Sequence, residues 1–307
     1  GDDKTLTSEI VSYEIDHLMT TARQWLSNAG SGYTAARETL RERAAPHFGI
    51  DPRALGTFRI ALALLLLADL LVYRLPGVST FYTDYGVLPS SLLETVSIHA
   101  VSGSAWVQTA LIAVAVCAAV CLLVGYRTRA STGVSVVLLA STYARNPYVI
   151  NGGNTVLVAF LFVSLFLPLD ARWSLAGSRH GDGRGPEAAD RGADTEREAG
   201  AGQRICSVGT VVTLLSLVSI YAANAVSKYR SDAWMSGVAV PRILQLTGFT
   251  VGLSPLVSDH AAVLAAVNWL WIALLSVSVL LVAATGRVRA GVALAFVSAH
   301  LGMAATL

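Results

Sequence analysis

Tyr221, Asn224 and Lys228 stand at i, i+3 and i+7 in a stretch otherwise dominated by Leu, Val, Ile and Ala, so a helix places all three on one face. One turn earlier the same face carries Leu217, which confines the polar stripe to one end of the helix. A lysine at the centre of a membrane helix costs about 2.5–3.5 kcal/mol on insertion scales. Near a helix end it lowers that cost by extending its ammonium to the interface. Snorkelling therefore accounts for Lys228 by itself and leaves Asn224 and Tyr221 unexplained. A lysine in an apolar pocket has another use, because desolvation favours the neutral amine, which serves as a general base. Two readings follow: a cavity with a basic amine, or polar contacts between packed helices of about 0.6 kcal/mol each.

A second polar group surrounds Pro147 in "STYARNPYVINGGN", residues 141–154. Proline disfavours helical geometry at Asn146, so the helix stops or kinks there and frees carbonyls. Gly152 and Gly153 permit a tight turn, and Asn154 is placed to cap the next helix. Arg145, Asn151 and Asn154 are thus expected at one outer edge, and irregular backbone at membrane depth is tolerated only against protein or water. His300 lies halfway along the last apolar segment, where a histidine faces a bundle interior or an aqueous cavity. Tyr82, Asp84 and Tyr85 in "FYTDYGVLP" read as a turn with interfacial aromatics, and His99 as an exposed loop histidine. Arg59 and Asp69 lie ten residues apart on different faces; they are not expected to pair, and Arg59 is expected to snorkel. Cys117, Cys121 and Cys206 show no metal or disulfide spacing and read as small buried apolar side chains. No metal site is predicted.

The elements that position these residues are apolar helices. The chain is 54% hydrophobic and 14% charged, with a mean hydropathy of +0.57, far more apolar than an ordinary soluble domain. Residues 104–126, 146–169, 205–227 and 261–286 contain no Asp, Glu, Lys or Arg, and each is long enough to cross a hydrocarbon core of about 30 Å. The pattern predicts seven transmembrane helices, at about 55–73, 104–124, 130–148, 152–170, 205–227, 260–284 and 289–307. Alternate loops then carry sixteen Lys and Arg on one side against five on the other, which places the amino terminus in the cytoplasm of a multi-pass cell-membrane protein. Residues 1–50 read as cytoplasmic amphipathic helices, at 5–28 and 33–45, ahead of a transmembrane domain at 51–307. Within that domain 176–204, rich in Gly, Ala and charge, reads as a flexible cytoplasmic linker between four spans and three. The chain ends inside an apolar segment, so a continuation is expected. A net charge of +2 without a basic stripe excludes nucleic acid as a partner class, and the lack of an internal repeat argues against a transporter built from inverted halves.

In order along the chain, "DPRALGTFRIALALLLLADLL" at 51–71, "FYTDYGVLP" at 81–89, "GYRTR" at 125–129, "NGGNTVLVAFLFVSLFLPLDARWSL" at 151–175, "NAVSKYRSDAW" at 224–234 and "SAHLGM" at 298–303 together resemble the HTTM (horizontally transferred transmembrane) family. That family shares its membrane module with vitamin K-dependent γ-carboxylase. The resemblance implies an all-α bundle of about seven membrane helices. It also implies a reduced quinone, of vitamin K or menaquinone type, as the lipid-soluble cofactor. In the carboxylase an outward lysine helps deprotonate the hydroquinone; oxygenation then yields a strong base, and the glutamate carbanion that base makes takes up carbon dioxide. "AVSKYRSDAW" is similar to the segment holding that lysine, which puts Lys228 in its place with Asp232 and Trp234 following. His300 matches a later histidine of the family. Where the carboxylase has Asn-Asn-His this chain has "NGGN", so Asn154 replaces a histidine. The large lumenal portion that holds the carboxylase's protein substrate has no counterpart here, so a protein substrate is not expected. The implied partners are membrane lipid and quinone, with Tyr221, Asn224, Arg145, Asn151, Asn154, His300, Asp232 and Trp234 lining the cavity around Lys228. The alternative is a non-catalytic membrane module that binds lipid or a partner protein.

Overall fold

A computed structural model describes residues 38–87, 95–175, 204–246, 248, 250 and 252–306. The chain divides into two compact units, Gly1–His47 and Phe48–Leu307. In the first unit the described residues, 38–47, are helical; the helix expected at 5–28 lies outside the described residues, as does nearly all of the 176–204 linker. In the second unit the described residues form helices and turns with no strand, and an antiparallel bridge joins Ile50 to Ile205.

Among the described residues, seven helices of 13 residues or more organise the second unit. α1, Pro52–Ala68, starts where the Asp51 side chain accepts from the Arg53 N–H and Pro52 fills the first turn, the position where a missing N–H matters least. It runs on into a wider π turn, Asp69–Arg74. α2, Ala105–Val124, ends at Gly125 with φ +74°; the N–H groups of Gly125 and Tyr126 donate to Leu122 and Cys121 carbonyls, the closure a left-handed glycine permits. α3, Thr128–Arg145, stops one residue before Asn146, which is extended at φ −140°, as Pro147 requires. α4, Gly152–Ser164, is closed at its start by a capping box between Asn151 and Asn154. Asn151 is thus the cap and Asn154 its reciprocal partner, a correction to the sequence expectation: the glycine pair belongs to the helix, not to the turn before it. α5, Val208–Tyr229, opens on a second capping box, Ser207 with Thr210. α6, Ala261–Ser276, stops well short of the expected 284 because the chain turns at Val277–Val279 before the short helix Leu280–Ala283. α7 is Gly286–Thr306.

Four of these elements, Pro52–Arg74, α2, α5 and α7, are long and apolar enough to cross a membrane. α4 and α6 are apolar but hold 13 and 16 residues, or about 20 and 24 Å at the helical rise. α3 is 18 residues long and carries six Ser or Thr hydroxyls, all of them buried.

Two cores hold the helices. α1 to α4 meet around Leu62, Leu66, Ile112, Ala119, Leu139 and Leu161, and Ile205 packs on the same cluster. α5 to α7 meet around Ala225, Leu275, Leu281 and Phe296. α2 turns Ile112, Ala115, Ala119 and Leu122 inward; Cys117 and Cys121 fall off that face, so Cys117 is exposed and Cys121 half-buried, as is Cys206, where the sequence suggested buried thiols.

Arg59 does not snorkel. It is fully buried, and its Nη1 and Nη2 donate to the Leu169 and Trp173 carbonyls at 3.2 and 2.6 Å. The segment after α4 folds back over this end of α1 because "LPLD" cannot continue a helix, and its freed carbonyls supply what water would have supplied at the interface.

Candidate functional site

The polar residues of the second unit form two groups. The first is centred on Asp69, 6% exposed. Arg74 follows Asp69 by five positions, a spacing that 3.6 residues per turn places on well-separated faces. The π turn removes that obstacle: the Leu75 N–H donates to the Leu70 carbonyl, an i→i+5 bond that stacks residues five apart. Arg74 Nε and Nη2 accordingly reach Asp69 at 3.1 Å each. The remaining acceptor capacity of the carboxylate is filled by Tyr143 Oη at 3.2 Å and Asn154 Nδ2 at 2.9 Å. Arg74 Nη1 donates to Tyr82 Oη at 2.8 Å, and the guanidinium lies 4.9 Å from the Tyr143 ring centroid. Burial pushes the Tyr82 phenol up from its ordinary pKa, against the opposing pull of Arg74, so it stays protonated.

Arg145 is 2% exposed and pairs with Asp84 while its Nε donates to the Tyr82 carbonyl. Asn146 Nδ2 donates to the Phe81 and Val87 carbonyls. Arg145, Asn151 and Asn154 therefore belong to one connected network. Its centre, the Asp69–Arg74 pair, escaped notice because an α-helical reading separates the two. Replacing Asn151 by alanine removes one cap bond of α4, an expected loss of about 1 kcal/mol; thermal unfolding in detergent checks it.

His99, read from sequence as an exposed loop residue, is fully buried. The loop 95–104 lies back on α3: Ser97 Oγ donates to the Ser141 carbonyl at 2.7 Å, and the His99 N–H reaches Ser97 Oγ and Ser141 Oγ at 3.2 Å each. Its Nδ1 is 2.6 Å from Gln108 Oε1 and its Nε2 3.0 Å from Thr142 Oγ1. Burial pushes its pKa below the ordinary histidine value, opposed by the Gln108 bond and reinforced by the charge of Arg145.

The second group lies on α5, α6 and α7. Tyr221 stacks on Phe296, centroids 4.2 Å apart and planes 12° apart. Trp271 stands edge-on to Phe296 and to His300, at 6.1 and 5.5 Å, and Tyr221 lies 6.0 Å from His300. His300 Nδ1 is 2.8 Å from the Phe296 carbonyl; a carbonyl only accepts, so Nδ1 carries the proton and Nε2 is the accepting nitrogen of the neutral ring. Asn224 is exposed and donates to the Ile220 carbonyl of its own helix at 3.0 Å. Lys228, half-buried, places Nζ 4.3 Å from the Trp234 ring centroid. Asp232 is exposed and begins the short helix Asp232–Met235. Trp234 is fixed by a residue that the sequence reading passed over: Asn268, fully buried in α6, donates from Nδ2 to the Trp234 carbonyl at 2.9 Å. A lone Asn inside a charge-free stretch was the available signal.

Tyr221 and His300 thus share one aromatic cluster, and Lys228 meets Trp234 two helical turns farther along α5, about 10 Å by the helical rise. Arg145, Asn151 and Asn154 take their described bonds within the first group. Among the described residues no three His, Cys, Asp or Glu side chains assemble as metal ligands. No protein-family model, curated protein or solved structure matches this chain.

Proposed function

We propose that the chain is a seven-span cell-membrane protein of HTTM type, with its amino terminus in the cytoplasm and α3, α4 and α6 completing the set of membrane helices. In this reading the outer end of α5 binds a reduced, lipid-soluble quinone, and Lys228 takes the phenolic proton. The proton passes to Nζ, and the electron pair stays on the quinol oxygen. The observation that carries the reading is the Lys228–Trp234 contact: Nζ sits over an indole face instead of reaching fully into water. That face stabilises the ammonium formed on proton uptake. Tyr221, Phe296, Trp271 and His300 supply an aromatic wall on the same side of the bundle, suited to a flat ring or its apolar tail. The polar side chain of Asn224 faces away from protein partners and is open to a ligand.

A second reading, a non-catalytic module that binds lipid, is favoured by a specific observation. Asn224 and His300 both bond back to their own helices, which lets each face a bilayer at low cost without any substrate. Binding and turnover separate the two. The purified protein in nanodiscs receives a short-chain reduced menaquinone and dioxygen; tryptophan quenching reads binding, and chromatography reads quinol consumption. The catalytic reading expects Lys228→Ala to lower turnover by at least about 100-fold, in the range of general-base removal, with Kd within about threefold. Binding without turnover in the unaltered protein selects the lipid module. Unchanged turnover in the variant sinks Lys228 as the base.

A further inference from the structure

The loop 95–104 is tied down by a set of hydrogen bonds whose protons can be counted. Gln108 Nε2 donates to two carbonyls, those of His99 and Ser102, at 2.6 Å each. This fixes the orientation of its amide and leaves Oε1 as a pure acceptor. His99 Nδ1, 2.6 Å from that oxygen, must therefore carry a proton. The other nitrogen, Nε2, faces Thr142 Oγ1, and the same hydroxyl lies 2.8 Å from the Leu138 carbonyl. One hydroxyl proton is shared between two acceptors when the ring is neutral. When the ring takes up a second proton, Nε2 becomes a donor and the hydroxyl turns wholly to Leu138.

The bonding pattern thus accommodates both forms, and the surroundings decide between them. From α3 the charged group nearest the ring is Arg145, which pairs with Asp84 of the turn after α1. α2 contributes Gln108, which is neutral, and the loop's other contacts to α3 are serine hydroxyls. Among the described residues no carboxylate bonds to the ring, so an imidazolium here is a buried cation beside a second cation. Asp84 is in addition part of the loop's own anchorage: its N–H donates to the Gly103 carbonyl at 3.2 Å, and its carboxylate lies where a side chain on Gly103 would stand.

We propose that His99 is a proton-operated latch: neutral, it holds the loop 95–104 against α2 and α3, and on protonation it releases that loop. Because the folded state prefers the neutral ring, the latch is fully set above the ordinary histidine pKa of about 6.5, and it weakens as pH falls below that value. Release uncovers Arg145, 2% exposed with the loop in place, and the Tyr82 end of the first polar network. In the orientation proposed above, this loop faces the outside, so external acidity operates it.

Hydrogen–deuterium exchange of the full chain in nanodiscs, at pH 7.5 and pH 5.0 and corrected for intrinsic exchange rates, reads the latch directly. The expected result is at least a tenfold loss of protection at 95–104 on acidification, with α2 and α5 unchanged. His99→Gln, which cannot take up the proton, is expected to show the same protection at both pH values. Equal protection of the unaltered protein at both pH values overturns the proposal. So does an acid-induced loss that persists in His99→Gln.

Discussion

Asp69→Ala is expected to destabilise the protein by about 3–5 kcal/mol, the range for removing one partner of a buried ion pair. The carboxylate accepts from Arg74, Tyr143 and Asn154 at once. Its removal leaves Arg74, 4% exposed, as an unpaired cation and strips one bond from each of the other two. The π turn loses its reason as well, since an α-helical path past Asp69 becomes available once no pair needs residues five apart. The double variant Asp69→Leu with Arg74→Met separates charge from packing: it replaces the pair by apolar groups of similar bulk and is expected to recover at least half of the loss. Thermal unfolding in detergent checks both. An Asp69→Ala midpoint within about 2 °C of the unaltered protein would show that the pair makes no net contribution, since about 1 kcal/mol moves the midpoint by roughly 2–4 °C at comparable size.

Gly125→Ala carries the second large effect. Gly125 has φ +74°, a conformation that costs an L-residue about 1–2 kcal/mol. A methyl group there would lie 2.2 Å from Arg59 Nη1 and 2.6–2.7 Å from Ser174. Nη1 must then shift away from the Leu169 carbonyl, losing a charged hydrogen bond of about 1.5–3 kcal/mol. The expected total is about 3–5 kcal/mol, read as a lower unfolding midpoint. Gly291→Ala is the control, because α7 is helical there and a methyl group meets nothing within 4 Å; it is expected to be neutral or to stabilise by a few tenths of a kcal/mol. Equal effects at the two sites would defeat the steric account of Gly125.

Both predictions rest on residues whose importance the sequence understated. Asp69 and Arg59 were visible as charges in an apolar stretch, but a regular helix keeps Asp69 from Arg74 and leaves Arg59 no partner. The π turn and the folded-back segment after α4 are decided by contacts between residues far apart in the chain. The burial of His99 has the same origin: it depends on Gln108 nine residues on and on Thr142 across the bundle. The spacing of Tyr221, Asn224 and Lys228 puts them on one face of α5, yet their neighbours, Phe296, Trp271 and Trp234, come from other segments.

What the sequence determined by itself is the helical character of the described residues, the apolar stretches of which Pro52–Arg74, α2, α5 and α7 are long enough to cross a membrane, and the stop of α3 at Pro147. These follow from side-chain polarity, from helical periodicity and from the steric demands of proline, all of them local. Only the tertiary structure decided which polar residues share a network, which carbonyls receive Arg59, and which ring lies beneath Lys228. Each of those is a pairing across tens of residues, and in an apolar interior a buried polar group must find its partner wherever the packing of helices brings one.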